Sequence, residues 1–200
     1  MKIAVFMGGT SSEKEISLRS GEAVLESLQR QGYDAYGVVL DENNQVTAFL
    51  ENDYDLAYLV LHGGNGENGK IQAVLDILGK KYTGSGVLAS ALTMDKNKTK
   101  QIAENIGIRV PKSYRDLDSI ERFPVIIKPV DEGSSKGLFL CNNKEEAGEA
   151  LKKLRKPIIE DYIVGEELTV GVLNGKALGV LKIIPQADVL YDYDSKYAKG

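Results

Sequence analysis

Two apolar runs that each stop at a pair of glycines constrain this chain more than any other feature. Lys2 to Met7 runs into Gly8-Gly9, and Leu56 to His62 runs into Gly63-Gly64. An apolar run without polar alternation is what a strand covered on both faces of a parallel sheet looks like. After the first run, Ser12-x-x-Glu15 has the form of a capping box. Ile16, Ser20, Ala23, Val24 and Leu28 recur on one helical face, and Gly32 supplies a stop. Strand, glycine loop and helix, then a second strand over 35–40, predict an α/β sheet with its loops gathered along one edge, where open α/β folds bind ligands. G-x-G-x-x-G is not completed after Gly8-Gly9-Thr10, which argues against a dinucleotide fold.

The loops on that edge carry two candidate groups. Glu13 lies in the opening turn of the helix, where an acid commonly complements the helix dipole and can also hold a substrate ammonium. His62, the sole histidine, meets a heptad with four glycines, Gly63 to Gly69. No cysteine or second histidine accompanies it, so it reads as a donor to a ligand or a neighbouring loop rather than as a zinc ligand. Helices are predicted over 71–78 and 87–94, with a strand over 81–83 between them. The composition then changes at Asp95-Lys96-Asn97-Lys98-Thr99-Lys100, which places a domain boundary near Thr93. The lysines there read as a solvated helix face, or, for Lys96, as a group turned back into a cleft.

The second half reads as α+β. Val125-Ile126-Ile127-Lys128-Pro129 and Leu138-Phe139-Leu140-Cys141 are two apolar runs flanking Glu132-Gly133-Ser134-Ser135-Lys136-Gly137. A hairpin with a flexible tip is the plain reading. The alternative is a phosphate cradle, in which Gly133 and Gly137 adopt backbone angles closed to other residues and the amides and hydroxyls between them face an anion. Lys128 favours the cradle, because a cation inside an apolar strand needs a partner. A helix is predicted over 144–154. Ile158 to Ile163 is a strand that turns acidic at Glu160-Asp161, a pair able to accept hydrogen bonds from a purine amino group or ribose hydroxyls, or simply to keep an edge strand soluble. Glu167 to Leu173, Asn174-Gly175 and Lys176 to Ile184 spell a hairpin around the favoured Asn-Gly turn.

Composition narrows the class of protein. With 200 residues and 42% apolar content, the chain can bury a core in one or two domains. A net charge of −4, from 25 basic and 29 acidic residues interspersed along the chain, advertises no nucleic-acid face. The lone Cys141 and an N-terminus without a signal-peptide or membrane-spanning pattern suggest a soluble, cytoplasmic protein.

Five segments, taken in order, resemble the D-alanine–D-alanine ligases of the ATP-grasp superfamily. They are MGGTSSEKEISLRSG, HGGNGENGKIQAVLDILGKKYTGSGVLASALTMDKNKTK, IIKPVDEGSSKG, IIEDYIVGEELTVGVL and YDYDSKYAKG. The resemblance implies an N-terminal α/β substrate-binding domain over 1–93, a first ATP-grasp subdomain over 94–178 and the start of a second over 179–200. It implies ATP and Mg²⁺, D-alanine as substrate, an acylphosphate intermediate, a role in peptidoglycan precursor synthesis, and a homodimer. Residue by residue, Glu13 matches the group that binds the ammonium of the first D-alanine, and His62 the group near its carboxylate. Ser134 and Tyr197 match the links to the mobile loops. Lys96, Lys128 and Lys196 match phosphate contacts, with Gly133, Ser135, Lys136 and Gly137 in the closing loop. Glu160, Asp161, Tyr162 and Ile163 match the segment that reads adenine, and Glu167 the acid that holds the ribose. Tyr197 favours an amine as second substrate.

Three departures stand out. Asn68 occupies a position where the family usually carries an acid, Lys136 replaces an apolar residue, and the chain ends before the second ATP-grasp subdomain is complete. The metal ligands are therefore expected beyond residue 200. Two other readings fit the same residues: a non-catalytic nucleotide-binding module, and an ATP-grasp ligase with a different second substrate.

Overall fold

The computed structural model describes residues 1–184. The chain forms two compact units, divided between Ile106 and Gly107. The first unit runs β1 (Lys2–Gly8), α1 (Lys14–Arg30), β2 (Asp34–Leu40), α2 (Thr47–Glu51), β3 (Leu56–Leu59), α3 (Gly64–Glu67), α4 (Lys70–Ile77), β4 (Lys81–Tyr82), α5 (Val87–Met94) and α6 (Lys96–Asn105). Its sheet is parallel throughout, in the order β2-β1-β3-β4, with Ile3 opposite both Ala35 and Leu56.

Alternation along β1 sorts its side chains onto two faces. Ala4 and Phe6 join Leu40, Ala48, Phe49, Tyr54, Ile71 and Leu75 in one core, beneath α2 and α4. Ile3, Val5 and Met7 join Ala35 and Val60 in the other, beneath Leu18, Val24, Leu25 and Leu28 of α1. Both faces are covered, which is why the run lacks polar alternation.

The expected capping box at Ser12 does not form: α1 has Glu13 at its N-cap position with no side-chain cap. The residue that engages the turn is Ser11, whose hydroxyl accepts the Glu13 N–H at 3.1 Å. The buried seam of α1 also differs from the expected one. Ser17 and Gly21 are its buried residues, and Ala23 is exposed. A Cβ on Gly21 would stand 2.5 Å from Met7 Cβ, so the helix comes this close to β1 only because the position is bare.

The boundary expected near Thr93 separates two helices that stay in one unit. Thr99 Oγ1 lies 3.0–3.1 Å from the carbonyl oxygens of Leu92, Thr93 and Asp95 and ties α6 to the end of α5.

The second unit holds β5 (Ser113–Tyr114), a 3₁₀ turn (Leu117–Ser119), β6 (Val125–Pro129), β7 (Phe139–Cys141), α7 (Lys144–Lys153), β8 (Pro157–Asp161), β9 (Glu167–Leu173) and β10 (Lys176–Ile183). An antiparallel sheet runs β5-β8-β6-β7, and β9 pairs with β10 about the Asn174-Gly175 turn. That pairing crosses residue 178, where the sequence placed a subdomain boundary. Tyr114, Val125, Ile127, Cys141 and Ile159 point to one face of the four-stranded sheet and pack with Ala147 and Ala150 of α7. The opposite face carries Ile126, Lys128, Ile158 and Glu160, by the register that sets Ile126 opposite Glu160 and Lys128 opposite Ile158.

Candidate functional site

In a parallel sheet of order 2-1-3-4, the chain leaves β1 toward one side and later returns to β3 on the other. The loops after β1 and β3 therefore diverge and leave a crevice at the strands' carboxyl ends. Two serines hold those loops together. Ser17 Oγ accepts the Gly8 N–H at 2.8 Å and donates to Val60 O at 2.5 Å. Ser11 Oγ donates to His62 O at 2.5 Å, besides accepting from Glu13.

This stitching brings Glu13 and His62 together across the crevice. Glu13 is buried, and a Cβ on Gly63 would lie 2.6 Å from its Oε2. Gly63, at φ +65°, is thus the residue that makes room for the carboxylate. His62 Nδ1 faces Glu67 Oε1 at 3.9 Å. The Glu67 carboxylate is the main cause that lifts the imidazole pKa above its ordinary value, against the opposing effect of burial, and Glu13 adds to the lift. His62 Nε2 is buried and has no hydrogen-bond partner among the described residues. A carboxylate beside an imidazole whose charged form is favoured offers complementary partners for the two charged ends of a free amino acid.

In the second unit, the sheet face opposite α7 carries the other candidates. Lys128 Nζ forms an ion pair with Glu160, whose side chain is 6% exposed. Glu160 and Asp161 do not act as a pair, because successive strand residues point to opposite faces. Asp161 turns toward the α7 side. There it accepts from Tyr114 Oη at 2.7 Å and from Arg122 through Nε and a terminal guanidinium nitrogen. The Arg122 guanidinium, and then the Tyr114 hydroxyl, hold its carboxyl below the usual carboxylate range. Its side chain is committed to the fold. Tyr162 and Ile163 follow directly on β8, and Glu167 opens β9 with its side chain exposed.

The turn over 133–137 also departs from expectation. Gly137 has φ +68°, but the other left-handed residues are Ser134 at +53° and Ser135 at +56°, not Gly133. Each left-handed non-glycine residue costs roughly 1–2 kcal/mol, a strain of the kind that collects at ligand-binding loops. Lys136 N–H donates to Gly133 O at 3.1 Å, and Leu138 N–H to Ser135 O at 3.3 Å. Lys136 is exposed, and Lys96 is half-buried at the start of α6. Lys196 and Tyr197 lie outside the described residues.

Among the described residues, no group of three or more His, Cys, Asp and Glu side chains could hold a metal ion. Cys141 is buried, and burial pushes its thiol pKa up, away from the reactive thiolate.

Residues 2–85 match the family models described as the D-Ala–D-Ala ligase N-terminus, and residues 81–200 match the D-Ala–D-Ala ligase C-terminus. A D-alanine–D-alanine ligase of Fusobacterium nucleatum is 88% identical over 200 residues, covering all of this chain and 70% of that protein. The chain belongs to the D-alanine–D-alanine ligase family. A crystal structure of the D-alanine–D-alanine ligase from Bacillus anthracis superposes with a TM-score of 0.85 at 35% identity, over 98% of this chain and 68% of that one. A second structure of the B. anthracis ligase, complexed with ATP, gives 0.82 at 33% identity, over 96% and 68%. The two D-alanine–D-alanine ligase models meet at residues 81–85, ahead of the division between the compact units at Ile106.

Proposed function

We propose that this chain ligates two D-alanines to D-alanyl-D-alanine at the expense of ATP, for peptidoglycan precursor synthesis. The observation that carries the reading most directly is the convergence, at the β1/β3 crevice, of Glu13 and His62, whose Nε2 has no partner among the described residues. Family membership and the ATP complex of the B. anthracis ligase support the nucleotide.

In this reading Glu13 takes the ammonium of the first D-alanine and His62 its carboxylate. The γ-phosphoryl group of ATP passes to that carboxylate, giving an acylphosphate and ADP. The amine of the second D-alanine then attacks the acyl carbon, the C–O bond to phosphate breaks, and dipeptide and phosphate leave. Both steps gather negative charge, which calls for fixed cations and amide donors more than for covalent chemistry by the protein.

Lys128, Lys96, Lys136 and Lys196 supply cations, and the turn over 133–137 supplies amides and a cover that keeps water from the acylphosphate. Ser134 and Tyr197 link that cover to the amino-acid site. Residues 160–163 meet adenine, Asp161 through its backbone because its carboxylate is already engaged, and Glu167 meets the ribose. Mg²⁺ is the metal proposed for the reaction. A homodimer and a cytoplasmic location belong to the same proposal.

Phosphate release from ATP by the full-length protein, with and without D-alanine, tests the reading. Release that requires D-alanine is expected, together with a ninhydrin-positive dipeptide. ATP turnover indifferent to D-alanine would overturn it, and a depside formed preferentially when D-lactate competes would overturn the choice of second substrate.

A further inference from the structure

The glycine-rich heptad after β3 does more than expose backbone. It contains α3, and α3 carries Glu67 back over His62. The turn is tight for a visible reason: a Cβ on Gly66 would stand 2.5 Å from Leu61 Cβ, and Gly64 and Gly69 sit at φ +50° and +89°. Asn68, at the position where the resemblance leads one to expect an acid, faces elsewhere, its Oδ1 accepting the Lys70 N–H at 3.2 Å. Glu67 is thus the acid of this heptad that faces the imidazole.

That placement decides what His62 can do. An ionised carboxylate only accepts hydrogen bonds, so the nitrogen it faces, Nδ1, carries a proton. Nε2 is then a donor only while the ring is protonated. At 3.9 Å the Nδ1–Oε1 pair is an ion pair rather than a hydrogen bond, a spacing that binding can tighten. Two carboxylates act on the ring, Glu67 from α3 and Glu13 from the start of α1, and both favour the charged form, while burial opposes it. A buried nitrogen left without a partner is uncommon in native folds. Among the described residues, the one so left on His62 is the nitrogen turned away from Glu67.

We propose that Glu67 is a positioning residue: it orients His62 and keeps it as the imidazolium whose Nε2–H receives the carboxylate of the amino-acid substrate. This rests on the ligase reading for the identity of that substrate. Glu67 itself touches no reacting atom. Its exposed carboxylate, 41% accessible, makes Glu67→Gln a substitution the fold tolerates.

His62 is the sole histidine of these 200 residues; in the full-length protein its ring is followed by ¹H–¹⁵N NMR and assigned as the signal lost in His62→Gln. In Glu67→Gln the His62 titration midpoint is expected to fall, and Glu67→Asp to restore part of the shift. Adding D-alanine alone is expected to raise the midpoint in the parent protein and much less in Glu67→Gln. In turnover, Glu67→Gln is expected to raise KM for D-alanine about tenfold with kcat changed by less than about twofold, the signature of lost ground-state binding. A midpoint that Glu67→Gln leaves in place, or an unchanged KM, would overturn the proposal. The titration of the free protein involves no turnover, so a protein that makes no dipeptide would sink the ligase reading without deciding whether Glu67 governs the ring.

Discussion

At Lys128 stability and binding are coupled in one side chain. Its ammonium lies beside a carboxylate whose side chain is only 6% exposed, so deleting it removes the cation facing a charge that cannot reach water. Lys128→Ala is expected to lower the stability of the second unit by roughly 2–3 kcal/mol and to weaken ATP binding as well. The two effects separate in Lys128→Met combined with Glu160→Gln. With neither charge of the pair left, the denaturation midpoint should recover while KM for ATP stays high; a KM for ATP unchanged in Lys128→Ala would remove Lys128 from the nucleotide site. Gly63 poses the opposite case, a residue that matters for what it lacks. Gly63→Ala would place a methyl group 2.6 Å from Glu13 Oε2 at φ +65°. It is expected to cost about 1–2 kcal/mol in strain and to raise KM for D-alanine about tenfold while leaving KM for ATP near its original value.

At the scale of the element, strand alternation assigns the acids of β8 to different tasks. Glu160 faces Lys128, and Asp161 clamps the strand end through Tyr114 and Arg122. Because the folded pKa of Asp161 is held below its unfolded value, the clamp contributes fully above the ordinary carboxylate range near 3.8. Its contribution is lost as the pH falls through the lower, folded value. Arg122 is 69% exposed, so solvent screens part of this effect. Urea denaturation between pH 2 and pH 6 is expected to show Asp161→Asn less stable at pH 6 and with a shallower loss toward acid; parallel curves would show the clamp to be inert. Neither clamp partner was legible in the sequence, since Tyr114 and Arg122 stand 47 and 39 positions from Asp161. The hairpins were legible because their turns and alternation are local. α1 was legible as a helix but not in its buried face: periodicity weighs large apolar side chains, and here Ser17 and the bare Gly21 form the seam against Met7. α2 and α3, of five and four residues, carry no period to read and are held by what they pack against. For the same reason Glu13 and His62 stood out as residue types in loops, while Glu67 became meaningful only once α3 folded it over the ring.

At the scale of the whole molecule, the cores fall within the units. The two clusters on the faces of the parallel sheet lie inside residues 1–106, and the cluster under α7 lies wholly beyond them. A segment with both faces of its sheet covered has what independent folding requires. Residues 1–106 alone are therefore expected to unfold cooperatively, and truncation at residue 93 to lower the melting temperature, because it removes the Thr99 hydroxyl that binds the end of α5. Tyr54 reports whether the core is native. Its ring is buried, its hydroxyl donates to Phe49 O at 3.1 Å, and burial pushes its pKa up to about 12 from 10.0. The neutral phenol is thus favoured by folding: the contribution is whole below pH 10 and is lost as the pH rises through about 12, a swing on the order of 2 kcal/mol. Denaturation of the 1–106 segment from pH 8 to pH 12 should show stability declining above pH 10, with a flatter decline in Tyr54→Phe. A segment that melts without cooperativity, or whose alkaline limb Tyr54→Phe leaves unchanged, would mean that the first core needs the rest of the chain to close.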